Sequence, residues 1–132
     1  MNGIDVSHWQ GQMDWAKAKS AGIGFAFFKL TDGVAFADSQ AANNVAGCKA
    51  NGIPFGEYHW LQPTMGALAQ ADYFLSRFSS DATWLCLDVE QSAAITKAQY
   101  AEKVRAWLER VEQVSGKIPV VYTSKSKWDA LV

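Results

Sequence analysis

What the 132-residue chain has little of narrows the field first. Its only cysteines are Cys48 and Cys86. They are too few for a disulfide framework and their spacing fits no zinc motif, so free thiols made in a reducing compartment are expected. Only 3 prolines and 10 glycines interrupt the chain, which excludes collagen-like and low-complexity architectures. Neither sign of charge dominates: Lys+Arg is 12 against Asp+Glu 13, a net charge of -1, so the basic footprint a nucleic acid requires is missing. No apolar run approaches the roughly 20 residues of a spanning helix, and no membrane partner is expected. The opening MNGIDVSHWQG has neither the basic nor the apolar region of a signal peptide, which predicts synthesis in the cytoplasm without a cleaved leader. What remains is 49% hydrophobic and 13% aromatic, enough for a folded core and incompatible with disorder.

Short apolar, β-prone runs start near Ile4, Phe25, Phe55, Leu85 and Pro119, each followed by a stretch with helical features. Lys97–Ser115 is the clearest helix. Thr96 and Gln99 form a capping box, Tyr100, Val104, Trp107, Leu108, Val111 and Val114 recur at helical spacing, and Gly116 is the stop. Thr64–Phe78 reads as a second, with Thr64 as N-cap and Leu68, Ala71, Leu75 and Phe78 on one stripe. Asp14–Ala21, Ala37–Ala50 and a helix begun near Ser126 complete the set. Strands roughly 30 residues apart with helices between them mark βαβ crossovers and a parallel sheet, so the class is α/β.

Polar residues decide between an open sheet and a (β/α) barrel. They follow every strand run: Asp5, then Thr31 and Asp32, then Tyr58 and His59, then Asp88 and Glu90, then Tyr122 and Thr123. A barrel gathers all strand C-termini around one mouth, whereas an open sheet gathers only those beside its switch point. The pattern therefore favours a TIM-like barrel. No GxGxxG or P-loop follows a strand, so a nucleotide site has no support.

Asp88-Val89-Glu90 is the sharpest local signal, because residues i and i+2 of a strand face one side, roughly 6.5 Å apart. Two carboxylates sharing a pocket cannot both ionise freely, so one is expected to hold its proton near neutral pH. Alone the pattern is weak, since strand-end carboxylates commonly cap the next helix or face water. Its coincidence with Asp5, Tyr58 and His59 at other strand ends strengthens it. Of 6 tryptophans, Trp15, Trp84, Trp107 and Trp128 read as packing. Trp9 and Trp60 lie just past strand ends, where they either stack on sugar rings or roof the barrel. His8 and His59 with Asp5, Asp88 and Glu90 lack any metal-ligand spacing, so neither a metal nor a cofactor is expected. Neither cysteine, nor Ser7 without a nucleophile elbow, reads as a nucleophile.

GIDVSHWQG, MDWAKAKSAGIGFAFFKLTDG, GIPFGEYHW, LCLDVE and IPVVYTS, in that order, resemble the Chalaropsis-type lysozymes, glycoside hydrolase family 25. The resemblance implies a (β/α)5β3 barrel and a muramidase that cuts the β-1,4 bond between N-acetylmuramic acid and N-acetylglucosamine. Bacterial peptidoglycan is then the partner and the cell wall the place of action, as for wall hydrolases and phage endolysins. It also implies that Glu90 is the general acid/base, Asp88 its acidic neighbour and Asp5 the first-strand aspartate of the cluster. Asp32 stands where the family has the glutamate of K-A-T-E-G, and Tyr58 matches the third-strand aromatic. Trp9, Trp60, His59 and Tyr122 complete the candidate substrate-binding set.

The family's barrel has three more strands after the fifth βα unit, and this sequence stops at SKWDALV. Residues 1–132 are accordingly read as an incomplete catalytic domain, with the inward side chains Ile4 and Val120 or Val121 left uncovered. Self-association or a complementing chain would close the open edge. The alternative reading is an inactive glycan-binding or assembly module.

Overall fold

Short, mostly apolar β-prone runs form six strands in the computed structural model, which describes all of residues 1–132. They are β1 (Asn2–Val6), β2 (Ile23–Asp32), β3 (Phe36–Ala37), β4 (Phe55–Trp60), β5 (Trp84–Asp88) and β6 (Val120–Tyr122). Five pair in parallel in the order β1-β2-β4-β5-β6, and the short β3 folds back antiparallel on the end of β2. The helices are α1 (Trp15–Ser20), α2 (Ala41–Ala50), α3 (Ala67–Leu75), α4 (Lys97–Ser115) and α5 (Lys125–Leu131). Spatial order follows chain order, as a barrel wall requires, and the sheet curls into half of a barrel.

The two faces of the sheet differ in chemistry. Toward the helices, Ala26, Phe28 and Leu30 of β2, Phe55 of β4 and Leu85 and Leu87 of β5 are buried, and with Trp107, Phe74, Tyr100 and Val111 they build one core of 21 residues. Toward the barrel interior, Phe25 and Phe27 stand beside Trp84, with Phe27 and Trp84 stacked at 5.6 Å. Neighbouring strands make room with glycine: a Cβ on Gly56 would lie 2.3 Å from the Phe27 ring, and one on Gly3 2.2 Å from Phe25. Ile4 packs against the helix-side core and also borders the cleft between Gly3 and Asp5. Val120 is the inward, 40% exposed residue of β6, whereas Val121 packs against the core.

Helix α4 has the expected bounds, capping box and left-handed Gly116, although Val114 lies in solvent. Helix α3 is shorter than its periodicity predicts. Its N-cap is Gly66 rather than Thr64, and Ala67, Gln70, Ala71 and Phe74 face inward while Leu68 is exposed. Gln70 explains the shift: its amide donates to the Gln62 carbonyl at 2.9 Å and its oxygen accepts from the Gln62 N–H at 2.9 Å, folding 62–66 into a loop. Helix α2 begins at Ala41, because Phe36 and Ala37 pair with β2 and Asp38 turns the chain by accepting from the Gln40 N–H at 2.9 Å.

Candidate active site

The C-terminal ends of β1, β4, β5 and β6 surround a cleft of about 490 Å³. Asp5, Tyr58, Trp60, Asp88, Glu90 and Tyr122 line it over an apolar floor of Phe25 and Phe27. Strand parity explains the set, since Tyr58 and Trp60, and Asp88 and Glu90, are pairs spaced by two. The backbone just past β5 that carries Glu90 is tied down: the Val89 N–H donates to the Tyr122 carbonyl at 2.9 Å, the Thr123 hydroxyl donates to the Val89 carbonyl at 2.7 Å, and the Tyr100 hydroxyl donates to the Gln91 carbonyl at 2.8 Å.

Asp88 is the perturbed carboxyl of the cleft. Burial first, and then the Glu90 charge, push it up to about 7; Lys29 opposes this, while Asp5 and Asp32 add to it. Its Oδ1 is buried and accepts no hydrogen bond. An unpartnered, desolvated oxygen costs free energy that a donor on a bound molecule can recover. Tyr58 is held above the ordinary tyrosine range by burial and by Asp88 and Asp5, so its phenol stays protonated and can donate. Tyr122 is raised chiefly by Glu90, which marks the nearness of the two.

Lys29 escaped the reading of the sequence. It is an inward residue of β2, in phase with Phe25 and Phe27, and it brings positive charge to an otherwise acidic rim. Leu30 has no partner on β4, because Lys29 pairs with Tyr58 and Thr31 with His59. This bulge turns Asp32 back to the interior, where its Oδ2 meets the Lys29 ammonium at 2.7 Å and its Oδ1 accepts from the Gln62 amide at 2.8 Å. Asp32 thus stands at the rim as an anchor for Lys29 rather than in the lining of the cleft.

His59 does not belong to the cleft. Its neighbours in sequence, Tyr58 and Trp60, face inward, so parity sends it to the helix side, where it is fully buried. Its Nδ1 lies 2.8 Å from the Thr31 hydroxyl and its Nε2 3.1 Å from the Gln70 oxygen, and its ring stacks on Trp107 at 5.7 Å. Burial lowers its pKa to about 4 and keeps it neutral. Trp9 also lies outside the lining, 82% exposed on the 3-10 turn His8–Gln10. His8 is engaged by buried Asp38, whose Oδ2 accepts from the His8 backbone N–H at 3.0 Å and lies 2.8 Å from Nδ1. Cys86 faces the interior and Cys48 lies in α2; burial raises both thiols to about 12, so neither is a thiolate at neutral pH.

The sequence profile of glycosyl hydrolases family 25 matches residues 4–131. The chain belongs to that family. Among family 25 relatives, lysozyme M1 of Streptomyces globisporus is 36% identical over 141 residues, covering 98% of this chain and 48% of that protein. The N,O-diacetylmuramidase of Chalaropsis sp is 31% identical over 146 residues, covering 98% of this chain and 69% of that one. The solved bacterial lysozyme of Streptomyces coelicolor superposes with a TM-score of 0.90 at 31% identity, over 98% of this chain and 65% of that one. The chain therefore spans about half the length of several curated relatives it matches.

Proposed function

We propose that the cleft is the catalytic centre of a peptidoglycan muramidase, acting on the β-1,4 bond between N-acetylmuramic acid and N-acetylglucosamine. The observation that carries this reading is the Asp88–Glu90 pair at one strand end, with the buried Oδ1 of Asp88 lacking a partner. Before substrate arrives, burial and the neighbouring glutamate favour a proton on Asp88. A sugar acetamide N–H donated to Asp88 favours its anion and leaves the pair's proton to Glu90. Glu90 then protonates the leaving glycosidic oxygen as the C–O bond breaks, and the acetamido oxygen closes on the anomeric carbon. Water reopens that ring, giving its proton to Glu90. Direct attack by Asp88 is the other route to a retained product, and we favour the substrate-assisted one because the unpartnered oxygen is suited to accept from an amide. Asp5 adds negative charge beside the developing oxocarbenium ion, Tyr58 and Tyr122 offer hydroxyls, and Trp60 offers a ring face.

Glu90→Gln is expected to lower turnover of wall glycan by about 10²–10⁴-fold, the usual worth of a general acid/base. Asp88→Asn, which still offers an oxygen acceptor but cannot share the proton, is expected to lose activity and its neutral-pH ionisation. Folded wild-type protein that leaves several wall types uncut contradicts the reading. The interior face supports a second element of the proposal: β1 and β6 are edges, and Val120 and Tyr122 are 40% and 56% exposed. Further polypeptide, from the same gene product or another copy, would cover that face. Without such cover, a glycan-binding or assembly module that does not turn over is the alternative.

A further inference from the structure

Beyond Trp60 a row of side chains leads out of the cleft along its rim. The Lys29 ammonium sits 5.4 Å from the Trp60 ring and 5.3 Å from the Phe36 ring. Phe36 is 5.4 Å from the His8 ring, and His8 is 4.7 Å from Trp9. Exposure is high at the outer end, 41% at Phe36 and 82% at Trp9.

The backbone that carries these exposed rings is held by hydrogen bonds and strand pairing. The turn carrying Trp9 is closed by the Ser7–Gln10 capping box, with the Ser7 hydroxyl accepting from the Trp9 N–H at 3.3 Å. His8 is fixed by its two contacts with Asp38, and Phe36 is fixed by the pairing of β3 with Asp32. Preorganised rings lose little freedom on binding. Ring faces alternating with polar groups, here the His8 imidazole and the Lys29 ammonium, suit the apolar face and peripheral hydroxyls of a pyranose. A protein interface of specific affinity needs a far larger area than one such narrow row. The row is also continuous with the cleft through Lys29 and Trp60, the latter part of the cleft lining.

We propose that Trp9, His8 and Phe36 form an outer saccharide subsite that holds the glycan strand beyond the two sugars flanking the scissile bond. The proposal rests on the glycan reading of the cleft, and it makes affinity depend on strand length. The test is equilibrium binding to Glu90→Gln protein of purified, peptide-free glycan strands of two, four and six alternating N-acetylglucosamine and N-acetylmuramic acid residues. Affinity is expected to rise with length. Trp9→Ala is expected to remove about five- to tenfold of the affinity for the six-sugar strand, with the two-sugar fragment unaffected. Trp9→Tyr is expected to restore most of the loss, and Phe36→Ala to cause a smaller one. Far-UV circular dichroism of each variant checks the fold. Unchanged length dependence in Trp9→Ala, with strands still bound, overturns the subsite while sparing the cleft. Failure of the parent to bind any strand overturns both. If Trp9→Ala weakens only peptide-bearing strands, or acts only by dispersing oligomers seen in light scattering, the occupant is a stem peptide or a second copy and the subsite is overturned.

Discussion

Burial pushes two carboxyls, Glu57 and Asp88, up to about 7, and they face opposite sides of the same sheet. Glu57 is 1% exposed on the helix side, where its Oε2 accepts from the Ser79 N–H at 2.7 Å. Its folded value lies above its ordinary 4.5. The folded state therefore holds the proton more tightly than the unfolded chain. The stability this gives is fully present below about 4.5 and is lost as pH rises through about 7. The loss is on the order of 3 kcal/mol at most, at 1.36 kcal/mol for each pKa unit. Glu57→Gln keeps an acceptor for Ser79 but cannot ionise, so urea unfolding between pH 5 and 9 is expected to flatten in the variant. Equal pH slopes in both proteins contradict this. Asp88→Asn is expected to remove a further part of the slope. Sequence alone predicted a raised carboxyl in the D-x-E pair but could not say which. Burial decides it, and burial depends on the core behind β5. His59 was misplaced for a simpler reason: adjacent strand residues cannot share a face, so Tyr58 at the cleft excludes His59 from it.

Elements were legible where their signals were local. The α4 periodicity, its capping box and Gly116 lie within one stretch of chain, and the helix follows them residue for residue. Where a tertiary bond decided the boundary, the sequence misled: Gln70 holding Gln62 delays α3, and Asp38 turning back to His8 delays α2. Strand parity alone puts Lys29 in phase with Phe25 and Phe27; what leaves no mark in the order of residues is the bulge at Leu30, which brings Asp32 back to the interior beside Lys29. Helix α2 offers a test of packing against propensity. Gly47 lies mid-helix, where alanine is ordinarily better by about 1 kcal/mol. Here a Cβ would come within 2.0 Å of the Trp15 ring, which is 4% exposed and donates from its Nε1 to Asn44 at 3.3 Å. Overpacking is worth about 1–3 kcal/mol and wins. Gly47→Ala is expected to lower the denaturant midpoint with no change in slope, and a raised midpoint would show that Trp15 moves aside freely.

At the scale of the molecule, five parallel strands make a wall rather than a closed barrel, and the interior carries Phe25, Phe27, Trp84 and Val120 behind the candidate carboxylates. An unpaired edge and an apolar face favour association. The 132-residue chain by itself is expected to self-associate or to unfold without sharp cooperativity; a monodisperse monomer in light scattering with two-state unfolding contradicts that. The α/β class was readable from the alternation of strand and helix signals, and the place of the cleft from polar residues recurring at strand ends, because a barrel mouth collects those ends whatever the helices do. The chemistry of that mouth shows most directly in the identity of the new reducing end released from purified peptidoglycan, read by borohydride reduction and mass spectrometry. N-acetylmuramic acid is expected at that end with wild-type protein, and none with Glu90→Gln of equal melting temperature. N-acetylglucosamine at the new end, or equal release by the variant, contradicts the muramidase reading.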